Sequence, residues 1–103
     1  MRIYISGPMT LGGTVKPDFT RFFETEKRLI QQGHVVVNPA RNTRKDGTWE
    51  EYMRDDITDL LTCDAIYMLR QWRHSKGACL EMYIADRINM TILYEGEEEE
   101  RYA

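Results

Sequence analysis

A chain of 103 residues, 42% of them hydrophobic and 30% charged, has the size and composition of one soluble globular domain. Its formal net charge of −3 argues against nonspecific binding to nucleic-acid polymers or to anionic membranes. No apolar run approaches the about 20 residues that span a bilayer, and the N-terminus lacks the plan of a signal peptide. We therefore expect a cytoplasmic protein that binds neither membranes nor nucleic-acid polymers.

The cysteines and the basic residues suggest little special chemistry on their own. Cys63 and Cys79 lie within apolar runs and lack the spacing of metal ligands, so we expect buried, reduced thiols. We expect neither a metal nor a cofactor. Basic residues cluster at Arg41, Arg44 and Lys45, where a small anion could be held.

The chain opens with a predicted strand over residues 1–6, which is rich in β-branched and aromatic residues. It runs directly into a glycine-rich turn over residues 7–13. Such a turn after an N-terminal strand is where an α/β sheet brings its backbone close to a ligand. This turn is neither a GxGxxG fingerprint nor a P-loop, so by itself it is weak evidence for phosphate binding.

A first helix is predicted from Pro17, which suits a first helical turn, to Gly33, which suits a C-terminal cap. The strand that follows, residues 34–37, is predicted to be buried and ends at Asn38-Pro39; His34 at its start is interpreted as structural. The apolar stripe of the helix favours a core role over a base-stacking platform, and its members are Phe19, Phe22, Phe23, Leu29 and Ile30.

A second helix is predicted after a polar loop at residues 41–48, which we expect to be mobile. Thr48 and Glu51 have the spacing of a capping box, which marks the start of this helix. Helical spacing places Asp56 on the apolar side, Asp55 on the opposite side and Asp59 at the margin. The apolar side consists of Trp49, Tyr52, Met53, Ile57, Leu60 and Leu61.

A third helix, predicted over residues 75–89 with Ser75 as its N-cap, follows a strand at residues 64–69 and a loop that carries Trp72. Glu81 falls within its apolar side. Residues 91–94 form a fourth predicted strand, and the acidic tail at residues 95–103 is expected to be disordered. The apolar side of the helix consists of Ala78, Met82, Ile84, Ala85 and Ile88.

The alternation of strands and helices predicts an α/β fold, a flavodoxin-like or Rossmann-like three-layer sandwich with a four-stranded parallel sheet to which a fifth strand could add. In such folds ligands bind beyond the carboxyl ends of the strands. Asp56 and Glu81 would both project toward that crevice. A carboxylate on a buried helix face is costly unless it is paired or used, so we expect an acid, base or nucleophile role. Alternatively, each carboxylate reaches solvent or pairs with an arginine.

Four stretches carry a resemblance to a known family: residues 3–8, residues 33–39, residues 56–64, and Ser75-x-Gly77-x-x-x-Glu81. Together they resemble the nucleoside 2-deoxyribosyltransferase superfamily, in particular its small phage and bacterial branch. The 2′-deoxynucleoside 5′-monophosphate N-glycosidases show a similar spacing of Tyr, Asp, Ser and Glu. The resemblance covers a domain of residues 1–94.

The resemblance implies cleavage or transfer at the N-glycosidic bond of a (deoxy)nucleoside or (deoxy)nucleotide, without a cofactor. Glu81 would be the nucleophile, Asp56 would position the sugar or protonate the leaving base, and Tyr4 would orient Glu81. The substrate would be bound by Ser6, Gly7, Ser75 and Gly77. The resemblance also implies a homo-oligomer.

Two further expectations concern substrate recognition. Trp72 could stack on a base at the mouth of the crevice, although packing over its own loop or at a subunit interface is an equal alternative. The N-glycosidases carry a serine and an arginine for phosphate where this chain has Pro8 and Thr10. Phosphate recognition would then need replacement cations, for which the candidates are Arg41, Arg44, Lys45 and Arg73.

Two other functions remain open at this point. The same crevice could serve a binding module for a nucleotide or a nucleotide-derived signal, without turnover. A flavodoxin-like interaction protein without a small ligand would leave the two buried carboxylates as a coincidence. The sequence does not choose between hydrolysis and base transfer, nor does it identify the base, the sugar or the phosphorylation state.

Overall fold

The computed structural model describes residues 1–9 and 18–97, which form one parallel sheet with helices on both faces. The strands are β1 (Arg2–Ser6), β2 (Val35–Val37), β3 (Ala65–Met68) and β4 (Thr91–Tyr94). The α-helices are α1 (Thr20–Gln31), α2 (Trp49–Leu60) and α3 (Lys76–Arg87), with short 3-10 helices at Pro39–Arg41 and Trp72–His74. The glycine-rich turn beyond Met9, the predicted helix start at Pro17 and residues 98–103 lie outside the described residues.

The sheet has the strand order β2-β1-β3-β4, and every neighbouring pair is parallel. The chain moves outward from β1 to β2 and then crosses back to β3, so the order reverses between β1 and β3. In doubly wound folds this reversal creates the crevice where ligands bind. The predicted flavodoxin-like α/β architecture is thereby confirmed, and the described residues contain four strands.

Side-chain alternation along the strands divides the core into two layers. Ile3 and Ile5 of β1 pack with Phe22 and Leu29 of α1 on one face. Tyr4, on the opposite face, packs with Leu60, Ala78 and Ala85 of α2 and α3. Successive strand residues point to opposite faces, so Ser6 lies on the same side of the sheet as Tyr4. Tyr4 and Ser6 of β1 therefore both face α3.

The start of each of the last two helices agrees with its predicted cap. Thr48 accepts a hydrogen bond from the Glu51 amide at 3.1 Å, and the Glu51 carboxylate accepts one from the Thr48 amide at 3.0 Å. Ser75 accepts a hydrogen bond from the amide of Ala78 at 3.1 Å. These caps place the N-termini of α2 and α3 at the carboxyl ends of the strands, beside the crevice.

Several residues predicted to be in the core are exposed instead. The helices are covered only on the side that faces the sheet, and residues at the margins of that side remain in contact with water. Leu61 and Ile88 occupy C-cap positions, beyond the last packed turn. The strand predicted to be buried at residues 34–37 is the edge strand Val35–Val37, so its first residue, Val35, is exposed. The exposed fractions are Phe23 38%, Ile30 54%, Val35 57%, Trp49 40%, Leu61 57% and Ile88 51%.

Both cysteines are free and half-buried, so the expectation of buried thiols is correct only in part.

Glu95, the first residue of the predicted tail, accepts hydrogen bonds from the Arg21 guanidinium at 3.0 Å and the Arg70 amide at 2.7 Å. None of the helices in the described part of the chain has the length and apolar character of a membrane span.

Candidate active site

A cavity of about 360 Å³ opens at the carboxyl end of β1, between the N-terminal halves of α2 and α3. Its floor contains three polar side chains from different elements, and its rim contains aromatic and basic residues. It lies at the strand-order reversal, as the fold predicts. The lining residues are Tyr4, Gly7, Pro8, Met9, Pro39, Trp49, Tyr52, Met53, Asp56, His74, Ser75, Lys76, Gly77, Ala78 and Glu81.

Glu81 is a buried carboxylate of the cavity and is 5% exposed. The hydroxyl of Tyr4 donates a hydrogen bond of 2.5 Å to its Oε2, and the hydroxyl of Ser6 donates one of 2.7 Å to its Oε1. Burial raises the pKa of this carboxyl to about 7; the hydrogen bonds from Ser6 and Tyr4 oppose that rise, and the charge of Asp56 adds to it. Glu81 therefore changes its protonation state near neutral pH.

Tyr4 and Ser6 hold Glu81 in different ways. Burial and the neighbouring Glu81 raise the pKa of the Tyr4 hydroxyl well above its ordinary value, so Tyr4 remains a proton donor. This contact matches the orienting role that the resemblance implies. Ser6 is fully buried and is not among the lining residues. The structure thus places Ser6 against Glu81, behind the cavity wall, whereas the sequence suggested a substrate contact.

Asp56 is the second buried carboxylate of the cavity, with 8% exposure. Burial raises its pKa to about 6, with added contributions from Asp59 and Asp55, while a hydrogen bond from Asn42 opposes the rise. At pH values near 6 this carboxyl can carry a proton. It has the properties of a group that donates a proton to a departing base or a hydrogen bond to a sugar hydroxyl.

Asp55 points away from the cavity, as the helical spacing predicts, but it is not free in solvent. The Arg44 guanidinium donates hydrogen bonds of 2.7 and 2.9 Å to its two oxygens. These bonds lower the pKa of Asp55 to about 2. Asp55 and Arg44 connect the segment before α2 to the helix, in the loop that the composition suggested would be mobile.

Two glycines of the cavity wall have packing reasons for lacking a side chain. A Cβ on Gly7 would lie 2.7 Å from Cβ of Leu69, which is closer than any real contact. A Cβ on Gly77 would lie 3.1 Å from the sulfur of Met53, at the place where α3 approaches α2. Gly7, Gly77 and Ser75 all line the cavity, in the positions that the resemblance assigns to substrate binding.

Trp72, for which stacking at the cavity mouth and packing over its own loop were both open, does not line the cavity. Trp72 packs against the core layer of α2 and α3, and the Arg73 guanidinium lies over its ring at 4.6 Å. It lines a separate depression of about 290 Å³ beside β4. Trp49 lines the cavity instead. Its position directly after the Thr48 cap was the available signal, because that helix end faces the carboxyl ends of the strands.

The predicted anion-binding residues also lie elsewhere. Arg41 donates hydrogen bonds of 2.7 and 2.6 Å to Glu26, and Arg44 is held by Asp55. Neither of them, nor Lys45 or Arg73, lines the cavity, and the basic lining residues in the described part of the chain are His74 and Lys76. Within residues 1–9 and 18–97, no group of three histidine, cysteine or acidic side chains is arranged to hold a metal ion.

Comparison with known proteins supports this geometry at the level of the fold. The chain is similar to a 2-deoxyribosyltransferase from the psychrotolerant bacterium Bacillus psychrosaccharolyticus, described as a biocatalyst for nucleoside synthesis, with a TM-score of 0.70. The likeness covers 91% of this chain and 71% of that chain at 15% identity, and therefore concerns the fold alone. No curated protein matches the sequence significantly. Residues 1–94 match the model of the family described as "Domain of unknown function (DUF4406)", and the chain belongs to that family.

Proposed function

We propose that this protein cleaves or transfers the N-glycosidic bond of a (deoxy)nucleoside or (deoxy)nucleotide, with Glu81 as the nucleophile. The observation that carries the proposal is the Glu81 carboxylate in the cavity, held on both oxygens by hydroxyl donors. The similarity in fold to a 2-deoxyribosyltransferase is consistent with the same reaction class.

The first step is attack by Glu81 on the anomeric carbon of the sugar. Each carboxylate oxygen has two lone pairs, and Tyr4 and Ser6 each engage one oxygen, so a lone pair remains for the new bond. The carbon–oxygen bond forms as the carbon–nitrogen bond to the base breaks, and the bonding pair leaves with the base. The positive charge that develops on the sugar is stabilised by the adjacent anion.

Asp56 is the group that assists departure of the base. A proton transferred from its carboxyl to the base neutralises the charge that the base would otherwise carry away. Its pKa of about 6 leaves a useful protonated fraction near neutral pH. The same carboxyl also lies where it could accept a hydrogen bond from a sugar hydroxyl, which would position the substrate for attack.

The second step returns the enzyme to its starting state. Water attacking the anomeric carbon passes a proton to the Asp56 carboxylate and releases the free sugar, whereas a second base attacking it passes its N–H proton to Asp56 and forms a new nucleoside. In both cases the bond to Glu81 breaks and its carboxylate is restored. Hydrolysis and transfer thus use the same residues, and the attacking molecule decides between them.

The test is incubation with a panel of deoxynucleosides and deoxynucleoside 5′-monophosphates, with released base measured by chromatography, in the presence and absence of a second base. We expect base release from at least one substrate by the wild-type protein and none by Glu81→Gln. Asp86→Asn, on the exposed side of the same helix, is the matched control and should retain the wild-type rate. Full turnover by Glu81→Gln would exclude the nucleophile role.

Intact mass spectrometry after acid quench adds a direct test of the covalent step. A mass increase equal to one deoxyribosyl group for a nucleoside, or one deoxyribosyl 5-phosphate group for a nucleotide, is expected on the wild-type chain and not on Glu81→Gln. The alternative function, a nucleotide-binding module without turnover, predicts calorimetric binding of a nucleotide with neither base release nor a mass increase. That result would favour the alternative.

A further inference from the structure

Trp49 is a large aromatic residue that the core does not use. It is 40% exposed, although it belongs to the wall of the cavity. An indole ring left in contact with water at the rim of a cavity is a common feature of ligand-binding sites, since aromatic residues contribute large contact areas there. The other tryptophan of the chain, Trp72, packs against the core instead.

Trp49 begins a stripe on α2 that leads to Asp56. Tyr52 and Met53 lie three and four positions further along, and Asp56 follows seven positions after Trp49, so all four share one side of the helix. The stripe extends about 10 Å along the helix axis. Exposure decreases along it, from 40% at Trp49 to 7% at Met53 and 8% at Asp56. The stripe therefore runs from the cavity mouth to the carboxyl group that would donate a proton to the leaving base.

The neighbours of Trp49 have the chemistry of a nucleobase site. The ammonium of Lys76 lies 4.0 Å from the centroid of the indole ring, and Lys76 also lines the cavity. Tyr52 is held in place by a hydrogen bond of 2.8 Å from its hydroxyl to the carbonyl oxygen of Arg44. A planar base presents a π face and several acceptor atoms at its edge. The indole and phenol rings match the π face, and the ammonium is a donor for the edge.

We propose that Trp49, Tyr52 and Met53 form the nucleobase subsite, with the base stacked on the indole of Trp49. This inference rests on the proposed function, which places the glycosidic bond between Glu81 and Asp56. The base then extends from Asp56 along α2 toward the cavity mouth. The sugar lies beside Glu81, and affinity for the base depends on Trp49 and not on Trp72.

The two tryptophans of the chain make a direct fluorescence test possible. In a Glu81→Gln background, which prevents turnover, Trp72→Phe leaves Trp49 as the reporter and Trp49→Phe leaves Trp72. We expect deoxynucleosides and deoxynucleoside 5′-monophosphates to quench the Trp49 reporter and to leave the Trp72 reporter unchanged. 2-Deoxyribose 5-phosphate, which lacks a base, should quench neither. Quenching of the Trp72 reporter alone, or of neither by any probe with a base, would overturn the inference.

Affinity measured by calorimetry in the Glu81→Gln background is the second readout. Trp49→Ala should weaken binding of the same nucleosides and nucleotides about 5- to 150-fold, the range for loss of one stacked base. Trp49→Phe, which retains a π face, should keep most of the affinity that Trp49→Ala loses. Trp72→Phe is the control and should bind as its parent does. Unchanged affinity in Trp49→Ala would contradict the base subsite.

The two proposals can fail separately. If the wild-type protein binds nucleosides with Trp49 quenching but releases no base, the nucleobase subsite stands and the catalytic proposal fails. If the wild-type protein releases base and Trp49→Ala has an unchanged KM and kcat, the catalytic proposal stands and the subsite is wrong.

Discussion

The hydroxyl of Ser6 donates a hydrogen bond of 2.7 Å to Oε1 of Glu81, a residue 75 positions later in the chain. Tyr4, two residues earlier on the same face of β1, donates to the other oxygen. One short strand thus fixes both oxygens of a carboxylate on α3. A carboxylate held in this way is oriented before a substrate arrives, which is the preorganisation that catalysis requires.

The first prediction concerns these two donors. Tyr4→Phe should lower kcat about 10- to 100-fold, because a hydrogen bond to a charged group is worth about 1.5–3 kcal/mol. It should also raise the pKa of Glu81, because the Tyr4 hydrogen bond opposes the effect of burial. The maximum of the pH–rate profile should therefore move to higher pH. Ser6→Ala should act in the same direction.

Tyr83→Phe is the matched control for the loss of a tyrosine hydroxyl, because Tyr83 is 63% exposed on α3. It should change neither kcat nor the pH profile. A Tyr4→Phe protein with lower kcat but an unmoved pH maximum would show that Tyr4 acts on stability and not on the Glu81 carboxylate.

The second prediction compares the adjacent carboxylates of α2. Asp56→Asn keeps the shape of the side chain but removes its proton-donating carboxyl, so kcat should fall about 100-fold or more. Asp55→Asn weakens the contact with Arg44, so the melting temperature should decrease slightly while kcat stays unchanged. Paired measurements of turnover and thermal unfolding test both expectations. Equal losses of kcat in the two variants would contradict the assignment of Asp56 to the site.

The third prediction is the shape of the pH–rate profile. In the proposed mechanism Glu81 attacks as a carboxylate, so its reactive fraction should rise with pH through about 7. Asp56 donates as a carboxylic acid, so the rate should fall with pH above about 6. The rate depends on the product of the ionised fraction of Glu81 and the protonated fraction of Asp56. This product gives a bell-shaped profile with its maximum at about pH 6.5. In Asp56→Asn the falling limb should disappear, and the rate should rise to a plateau that depends on the ionisation of Glu81 alone.

A rate that rises to a plateau above pH 7 in the wild-type protein would assign Asp56 to sugar binding instead of proton donation. Profiles of identical shape in the wild-type protein and Asp56→Asn would contradict both roles. The measurement is kcat/KM for base release between pH 5 and pH 9.

The fourth prediction links Glu81 to stability. Its pKa in the folded protein, about 7, lies above the ordinary 4.5, so the folded state binds this proton more tightly than the unfolded state. The stabilisation is complete below about pH 4.5 and is lost as the pH rises through about 7, a cost of about 3 kcal/mol. Glu81→Gln avoids that loss. Its melting temperature should exceed that of the wild type at pH 8 and approach it at pH 4.5.

Thermal unfolding followed by calorimetry at the two pH values tests this expectation. The exposed Asp86→Asn variant should follow the wild type at both. A Glu81→Gln protein that is less stable than the wild type at pH 8 would show that the charged carboxylate stabilises the fold, which contradicts a desolvated catalytic group.

Much of the fold could be predicted because it depends on neighbours in sequence. The order of strands and helices follows from local periodicity, and the caps at Thr48 and Ser75 follow from residues within one turn. Helical spacing was also sufficient to place Asp56 and Glu81 on buried faces, since a helix has a regular period. A right-handed connection then leaves few ways to arrange the sheet.

The sequence by itself thus determined the architecture and the two inward carboxylates, whereas only the tertiary structure decided their surroundings. The Ser6 contact depends on the register between β1 and α3, which no local pattern encodes. The sequence suggested that Arg41 and Arg44 could bind an anion. In the structure they form ion pairs with Glu26 and Asp55. Trp49 and Trp72 differ in role because one begins a helix beside the cavity and the other packs against the core. Distances between segments far apart in the chain set each of these outcomes, and those distances exist only once the sheet and its two helical layers have assembled.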